Sequence, residues 1–253
     1  MRLTLAPILR SIATVSVALG CASEPIGDEP ASGGSAGKSS TSGTAGSGGN
    51  STSMCSAALR QAVSLVDEVA TTAVTVLDSA GNERVVYVDA TAPEGVDQSP
   101  WVYVSLATGT KVELTDLEAL DSRAWDLGFK RASIRTNSGD SGPGQGGAVR
   151  VALPWDSVDA STLGEDQQVP PEDWFDDDCN LQEEAVTGVV TRFSGWDEYD
   201  SVSHVLTPAD AVYLTRGADG TLFKVAILDY YSNPDGSTGR IAARYRLRVA
   251  PLP

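Results

Sequence analysis

Histidine occurs once in this chain, at His204, and methionine only twice. One imidazole rules out two histidines of one chain on the same metal, and it leaves a serine hydrolase a single residue to supply its base. Basic side chains are outnumbered, 18 against 34 acidic ones, for a net charge of −16. Such a surface repels nucleic acid and anionic lipid headgroups, so neither is an expected partner. No apolar run reaches the roughly 20 residues that span a bilayer stably. The three cysteines, Cys21, Cys55 and Cys179, show no CxxC spacing.

What is present begins with a leader. Arg2 and Arg10 precede an apolar stretch from Ser11 to Gly20, and Cys21 follows small residues in Ala18-Leu19-Gly20-Cys21. This resembles a lipoprotein signal peptide with its lipobox, too short in its apolar part for an anchor helix. Residues 1–20 are expected to be cleaved and Cys21 to become a lipid-modified N-terminus. Loss of the two arginines takes the net charge from −16 to −18. Residues 21–53 are Gly, Ser, Thr and Ala with little to pack, so ordering them would go uncompensated. They read as a tether with a reach on the order of 30 Å. Ala22 stands where an Asp would resemble an inner-membrane retention signal, which favours attachment to the outer membrane or cell surface. With Cys21 committed to lipid, Cys55 and Cys179 are expected to pair in an exported protein, and too few ligands remain for zinc.

The segment Trp125 to Gly147 holds the densest pattern. Trp125, Leu127 and Phe129 share one face at period two, the apolar set shifts to Ala132, Ile134 and Thr136, and the slip at Lys130-Arg131 predicts a β-bulge. Asn137 and the five glycines after it can occupy positive φ, which lets the backbone fold tightly without a helix. Gly139-Asp140-Ser141-Gly142-Pro143 resembles the nucleophile loop of trypsin-like proteases but lacks one glycine, and His204 lies after the serine in the wrong surroundings. Gly142 to Gly147 spells GxGxxG, yet Ala148 to Leu153 reads as a strand ended by Pro154, not as the helix a pyrophosphate site needs. With no nucleophile–base pair elsewhere, the chain is not expected to be an enzyme.

The whole segment is similar to the HmuY-like family of haem-binding bacterial outer-membrane lipoproteins. The similarity is carried by Trp125-Asp126-Leu127-Gly128-Phe129-Lys130-Arg131, Arg135-Thr136-Asn137-Ser138-Gly139 and Trp101-Val102-Tyr103. A second block agrees: Thr207-Pro208, Val212-Tyr213, Ala218-Asp219-Gly220, Lys224 and Asp229-Tyr230-Tyr231. The resemblance spans about residues 70 to 250. It implies a carrier that captures haem or a related porphyrin for iron acquisition, in partnership with an outer-membrane uptake receptor.

Strand signals agree with a mainly β domain over residues 54–253. Thr71-Leu77, Arg84-Asp89 and Trp101-Leu106 alternate or are β-branched, and Val212-Arg216, Leu222-Tyr231 and Arg240-Val249 form a three-stranded meander. The expected architecture is antiparallel packed sheets with at most one or two short helices, one of them amphipathic over Ser56 to Val69. Asp156 to Glu184, with Asp176-Asp177-Asp178, reads as a solvated acidic loop.

A haem carrier needs an iron ligand, an apolar slot and cations for the propionates. Arg244 and Arg246, in the stripe Arg240, Arg244, Arg246 and Arg248, are the candidate cations. The resemblance implies axial ligation by two histidines, or by Met in some relatives, but this chain offers His204 alone and, beyond the leader, Met54. His204 is the candidate ligand to haem iron, and a phenolate from Tyr199, Tyr230 or Tyr231 the candidate second. The alternative is a structural or partner-binding surface lipoprotein that keeps the scaffold without haem ligation.

Overall fold

A computed structural model describes residues 55, 63–164, 168–184 and 188–253. The expected leader, Cys21, the tether over 21–53, Met54 and residues 56–62 of the predicted helix lie outside these. Residues 63–69 make turns and bends instead of helix.

Two antiparallel sheets form the domain, as period-two patterning dictates. The larger contains β1 (Val74–Ala80), β2 (Glu83–Asp89), β7 (Gly147–Val151), β12 (Val212–Arg216), β13 (Leu222–Asp229) and β14 (Arg244–Pro251), in the order β1-β2-β14-β13-β12-β7. The meander is its centre, and Gly217 N–H donating to the Thr221 carbonyl closes the first turn. The smaller has the order β4-β3-β5-β6, from β3 (Val102–Ser105), β4 (Thr110–Val112), β5 (Leu127–Lys130) and β6 (Ser133–Thr136). Two-stranded ribbons are made by β8 (Glu183–Glu184) with β9 (Gly188–Val189), and by β10 (Asp197–Asp200) with β11 (Val205–Pro208). Helix among the described residues is limited to α1 (Asp116–Ala119), capped by a Thr115–Glu118 capping box, and a 3-10 turn at Trp155–Ser157. None is long and apolar enough to cross a membrane.

The main core lies between the sheets. Val86, Val88, Val225, Ile227, Tyr245, Leu247 and Val249 meet Val102, Val104, Leu127, Phe129 and Ile134, all buried. Strand alternation sends Tyr103 to the opposite face of the small sheet, into a second cluster with Trp101, Trp125, Trp174 and Phe175. The Cys55–Cys179 disulfide lies against this second cluster and closes it across 124 residues.

Three sequence expectations change. The slip at Lys130-Arg131 is not a bulge: Lys130 pairs with Ser133, so Arg131 and Ala132 form a two-residue hairpin turn, with Arg131 at φ +53°. Trp125 does not share the face of Leu127 and Phe129, because regular pairing starts only at Leu127 and the indole turns into the second cluster. The acidic segment is only partly solvated. Asp176, Asp177 and Asp178 are exposed, but Glu172, Trp174 and Phe175 are buried. Val169 is buried as well.

Candidate functional site

Arg135 organises the second cluster. It is fully buried, with its guanidinium 4.3 Å from the Trp101 ring, 5.4 Å from Tyr103 and Trp125, and 5.8 Å from Trp174. Desolvated cation–aromatic contacts offset part of the cost of burying that charge. Arg135 Nη2 donates to Tyr103 Oη at 2.5 Å, and Tyr103 donates to Asp116 Oδ1 at 2.9 Å. Asp116 also accepts the Trp101 and Val66 amides, so one carboxylate anchors α1, β3 and the chain entering β1. Burial pushes the Tyr103 phenol well above its ordinary pKa. Lys130, also buried, donates to the Ser64 carbonyl, and burial lowers its pKa to about 8.

The glycine loop wraps Asn137. Its Nδ2 donates to the carbonyls of Ser122 and Trp125, both at 2.8 Å, while Oδ1 accepts the Gly144 amide and its carbonyl accepts the Gly146 amide. Most of the glycines here serve close approach: a Cβ at Gly142 or Gly144 would lie 2.3 or 2.5 Å from an Asn137 oxygen. Gly139 alone among Gly139, Gly142, Gly144 and Gly146 is left-handed, at φ +52°, with its Cβ position against the Glu172 carbonyl. Buried Glu172 accepts from the amides of Thr136 and Arg192 and from Trp174 Nε1. Ser141 is fully buried, with Oγ lacking a hydrogen-bond partner. No substrate reaches it as a nucleophile.

Asp126 explains why the two similar blocks belong together. Its Oδ1 accepts the Ala218 amide at 2.8 Å and its Oδ2 the Leu106 amide at 2.7 Å, tying the Trp-Asp strand to the Ala218-Asp219-Gly220 turn. Burial raises its pKa despite these bonds.

The β10–β11 ribbon is a different environment. Register pairs Tyr199 with Leu206 and Asp200 with Val205, leaving residues 201–204 as the turn. Asp200 fixes that turn by accepting from the Val202 amide and the Ser203 hydroxyl, and its carbonyl accepts the His204 amide. His204 takes φ +58° and is exposed. Its Nδ1 lies 2.5 Å from Tyr199 Oη. Around this pair the surface is open and mixed: Val202 is 88% exposed, Tyr199 50% and Val205 39%, among exposed Glu198, Asp200, Ser201 and Ser203.

The other candidate tyrosines stand beneath the ribbon. Tyr231 Oη accepts the Leu206 amide at 3.1 Å. Tyr230 is buried, edge-on to Tyr231 with ring centres 5.1 Å apart, and touches Trp196 and Tyr245. Burial raises its phenol to about 12, against the opposing pull of the Arg131 guanidinium. Trp196, just before β10, donates to the Ala132 carbonyl and roots the ribbon in the core.

The candidate cations are already engaged. Arg244 forms an ion pair with Asp89 at 3.3 Å, Arg246 donates to the Gly236 carbonyl, and Arg248 makes a two-point contact with Glu83. Arg240 lies before β14, not on it. The structure therefore brings together Tyr199, His204 and, through Leu206, Tyr231. Arg131, exposed in the β5–β6 turn, is the cation whose charge opposes the upward shift of Tyr230. Among the described residues no group of three or more His, Cys, Asp or Glu is placed to hold a metal ion.

Comparison with known proteins gives one family. The family described as HmuY protein matches residues 97–245. Similar solved structures include a protein assigned as a lipoprotein of Bacteroides fragilis, 20% identical, covering 70% of this chain and 95% of that one, with a TM-score of 0.46. A protein of Bacteroides vulgatus assigned as an HmuY-like haem binder is 17% identical, with 70% and 96% covered and a TM-score of 0.44. The apo HmuY analogue of Tannerella forsythia is 16% identical, with 70% and 100% covered and a TM-score of 0.46. No curated protein matches. With the family match covering more than half of its length, and with the Trp-Asp strand, the Asn137 loop and the Ala218 turn wired into one structure, this chain belongs to the HmuY family.

Proposed function

We propose that this protein is a surface-tethered lipoprotein, anchored through Cys21, that binds haem or a related porphyrin for iron acquisition and hands it to an outer-membrane receptor. It acts as a carrier, not an enzyme. The observation that carries the reading is the Tyr199–His204 pair on an exposed ribbon bordered by Val202 and Val205. A neutral imidazole ligates a metal through one nitrogen while the other is held by a hydrogen bond that fixes tautomer and ring orientation. With Nδ1–H donated to Tyr199 Oη, Nε2 of His204 would be the atom that holds the iron. Tyr199 Oη, 2.5 Å from His204 Nδ1, would orient the imidazole rather than hold the iron itself.

A second reading, a scaffold that serves a protein partner without haem, is favoured by the engagement of Arg244 with Asp89 and of Arg246 with Gly236. Titration with hemin separates the two. Saturable growth of a shifted Soret band at micromolar hemin supports the carrier; no saturable change leaves the partner-binding scaffold.

A further inference from the structure

We infer that the chain carries a second binding site, a small pocket that takes a primary alkylammonium group. It shares no residue with the β10–β11 ribbon, so it stands apart from the haem reading. The pocket, about 70 Å³ in volume, is formed by the segment entering β1 and the connection from β2 to β3. Two of its lining residues, Glu68 and Glu94, are exposed, and neither carboxylate is in an ion pair among the described residues. Ser99 also lines it and is only 3% exposed, yet its Oγ has no hydrogen-bond partner. Thr72 Oγ1, buried on the other wall, lacks one too. A buried hydroxyl without a partner is costly, so two of them lining one cavity mark the place of a missing polar group.

The walls are held in advance of any ligand. Asp116 ties both, accepting the Val66 amide on one side and the Trp101 amide on the other. Gly95, at φ +101°, accepts the Gln98 and Ser99 amides through its carbonyl and folds the second wall into a turn. Lys111 secures the first wall by donating to the Ala70 and Thr72 carbonyls, and Glu113, 3.0 Å away, balances its charge. Those three contacts use all three of its N–H bonds.

The free groups then select the ligand. Carboxylates only accept and hydroxyls do either, so the site is negative and rich in acceptors, which excludes phosphate, sulfate and carboxylate ligands. A hard divalent cation takes roughly six to eight oxygens, more than two carboxylates and two hydroxyls offer. An ammonium donates three hydrogen bonds and accepts none, which suits these groups, while Pro93 and Pro100 give its methylenes an apolar wall. Volume sets the length. At roughly 10–15 Å³ per water-sized group the pocket holds about five, a nitrogen and a chain of about four carbons. Free small amines and the side chain of a partner's lysine both present this group.

The test follows the backbone amide resonances of the isotope-labelled, purified full chain during addition of n-butylammonium chloride. Saturable shifts centred on Thr72 and Ser99 are expected, and they should weaken with added salt because the carboxylates are exposed. Ser99→Ala should leave the thermal midpoint unchanged, since its hydroxyl bonds to nothing in the protein, and should weaken binding about fivefold. Glu68→Gln combined with Glu94→Gln should weaken it more than about tenfold. A merely structural Ser99 would not move the affinity. Nα-acetyl-lysine methylamide separates the two sources: binding as tight as that of butylammonium identifies a protein side chain, and its exclusion identifies a free amine. The inference is overturned by the absence of a saturable shift, by affinity unchanged in these variants, or by equal binding of tetramethylammonium, which has the charge but no N–H donor. Calcium binding at the same residues more tightly than butylammonium also overturns it, in favour of a metal site. Hemin binding should match the parent in every variant, so failure here leaves the carrier reading untouched.

Discussion

The Asn137 loop and the β10–β11 ribbon are both polar, turn-rich segments, yet they are built on opposite terms. Around Asn137 nearly every polar atom is buried and satisfied by another part of the loop, by Glu172 or by the residues leading into β5. On the ribbon, Tyr199 and His204 are exposed and answer mainly to each other. Buried, mutually dependent hydrogen bonds specify one structure and are costly to break; an exposed pair is cheap to build and free to meet a ligand. The residues most recognisable in the sequence thus hold the fold, and the residues proposed to bind are the least marked.

The largest expected effect lies on the buried side. Asn137→Ala removes three side-chain hydrogen bonds and strands the Trp125 carbonyl and the Gly144 amide, which should cost about 4 kcal/mol in denaturant unfolding. A loss below about 1 kcal/mol would erase the contrast between the two regions. Reduction or Ser replacement of Cys55 and Cys179 should cost a similar amount, about 3–5 kcal/mol in the chain-entropy picture, because the bridge closes a loop across 124 residues. Two free thiols in the denatured, unreduced protein would contradict that pairing.

Gly139→Ala comes next, at more than about 1 kcal/mol, since it adds a side chain at positive φ against the Glu172 carbonyl. Ser141→Ala sharpens the comparison from the other direction. Its hydroxyl is buried without a partner, so removal should be neutral or slightly stabilising by thermal unfolding. A hydrolase activity lost with that substitution would overturn the structural reading of the loop.

Much of the fold was legible before the structure. The meander and the strands around Arg84-Asp89 and Trp101-Leu106 follow from period-two patterning, and the Cys55–Cys179 bridge from the two cysteines left once Cys21 is read as the lipidation site of an expected export signal. The turn at Arg131-Ala132 was misread as a bulge because an arginine occupies the positive φ where Gly or Asn would have signalled a hairpin. Burial of Glu172 and Trp174 was hidden inside an acidic run, since their partners, Thr136 and the Arg135 cage, lie more than 30 residues away in sequence. Single-sequence patterning carries no record of such contacts. His204 and Tyr199 were both identifiable as candidates, but their pairing depends on the β10–β11 register. Asp200-Ser201-Val202-Ser203, turn residues between two short alternating stretches, was the available sign.

The most direct test of this division between fold and site is His204→Ala, measured twice: by urea unfolding and by hemin absorption. The account predicts an unfolding midpoint within error of the parent, because an exposed side chain bonded to one exposed tyrosine contributes little, together with loss of the Soret shift. A hemin spectrum identical to the parent's, or a large loss of stability with binding intact, would contradict it.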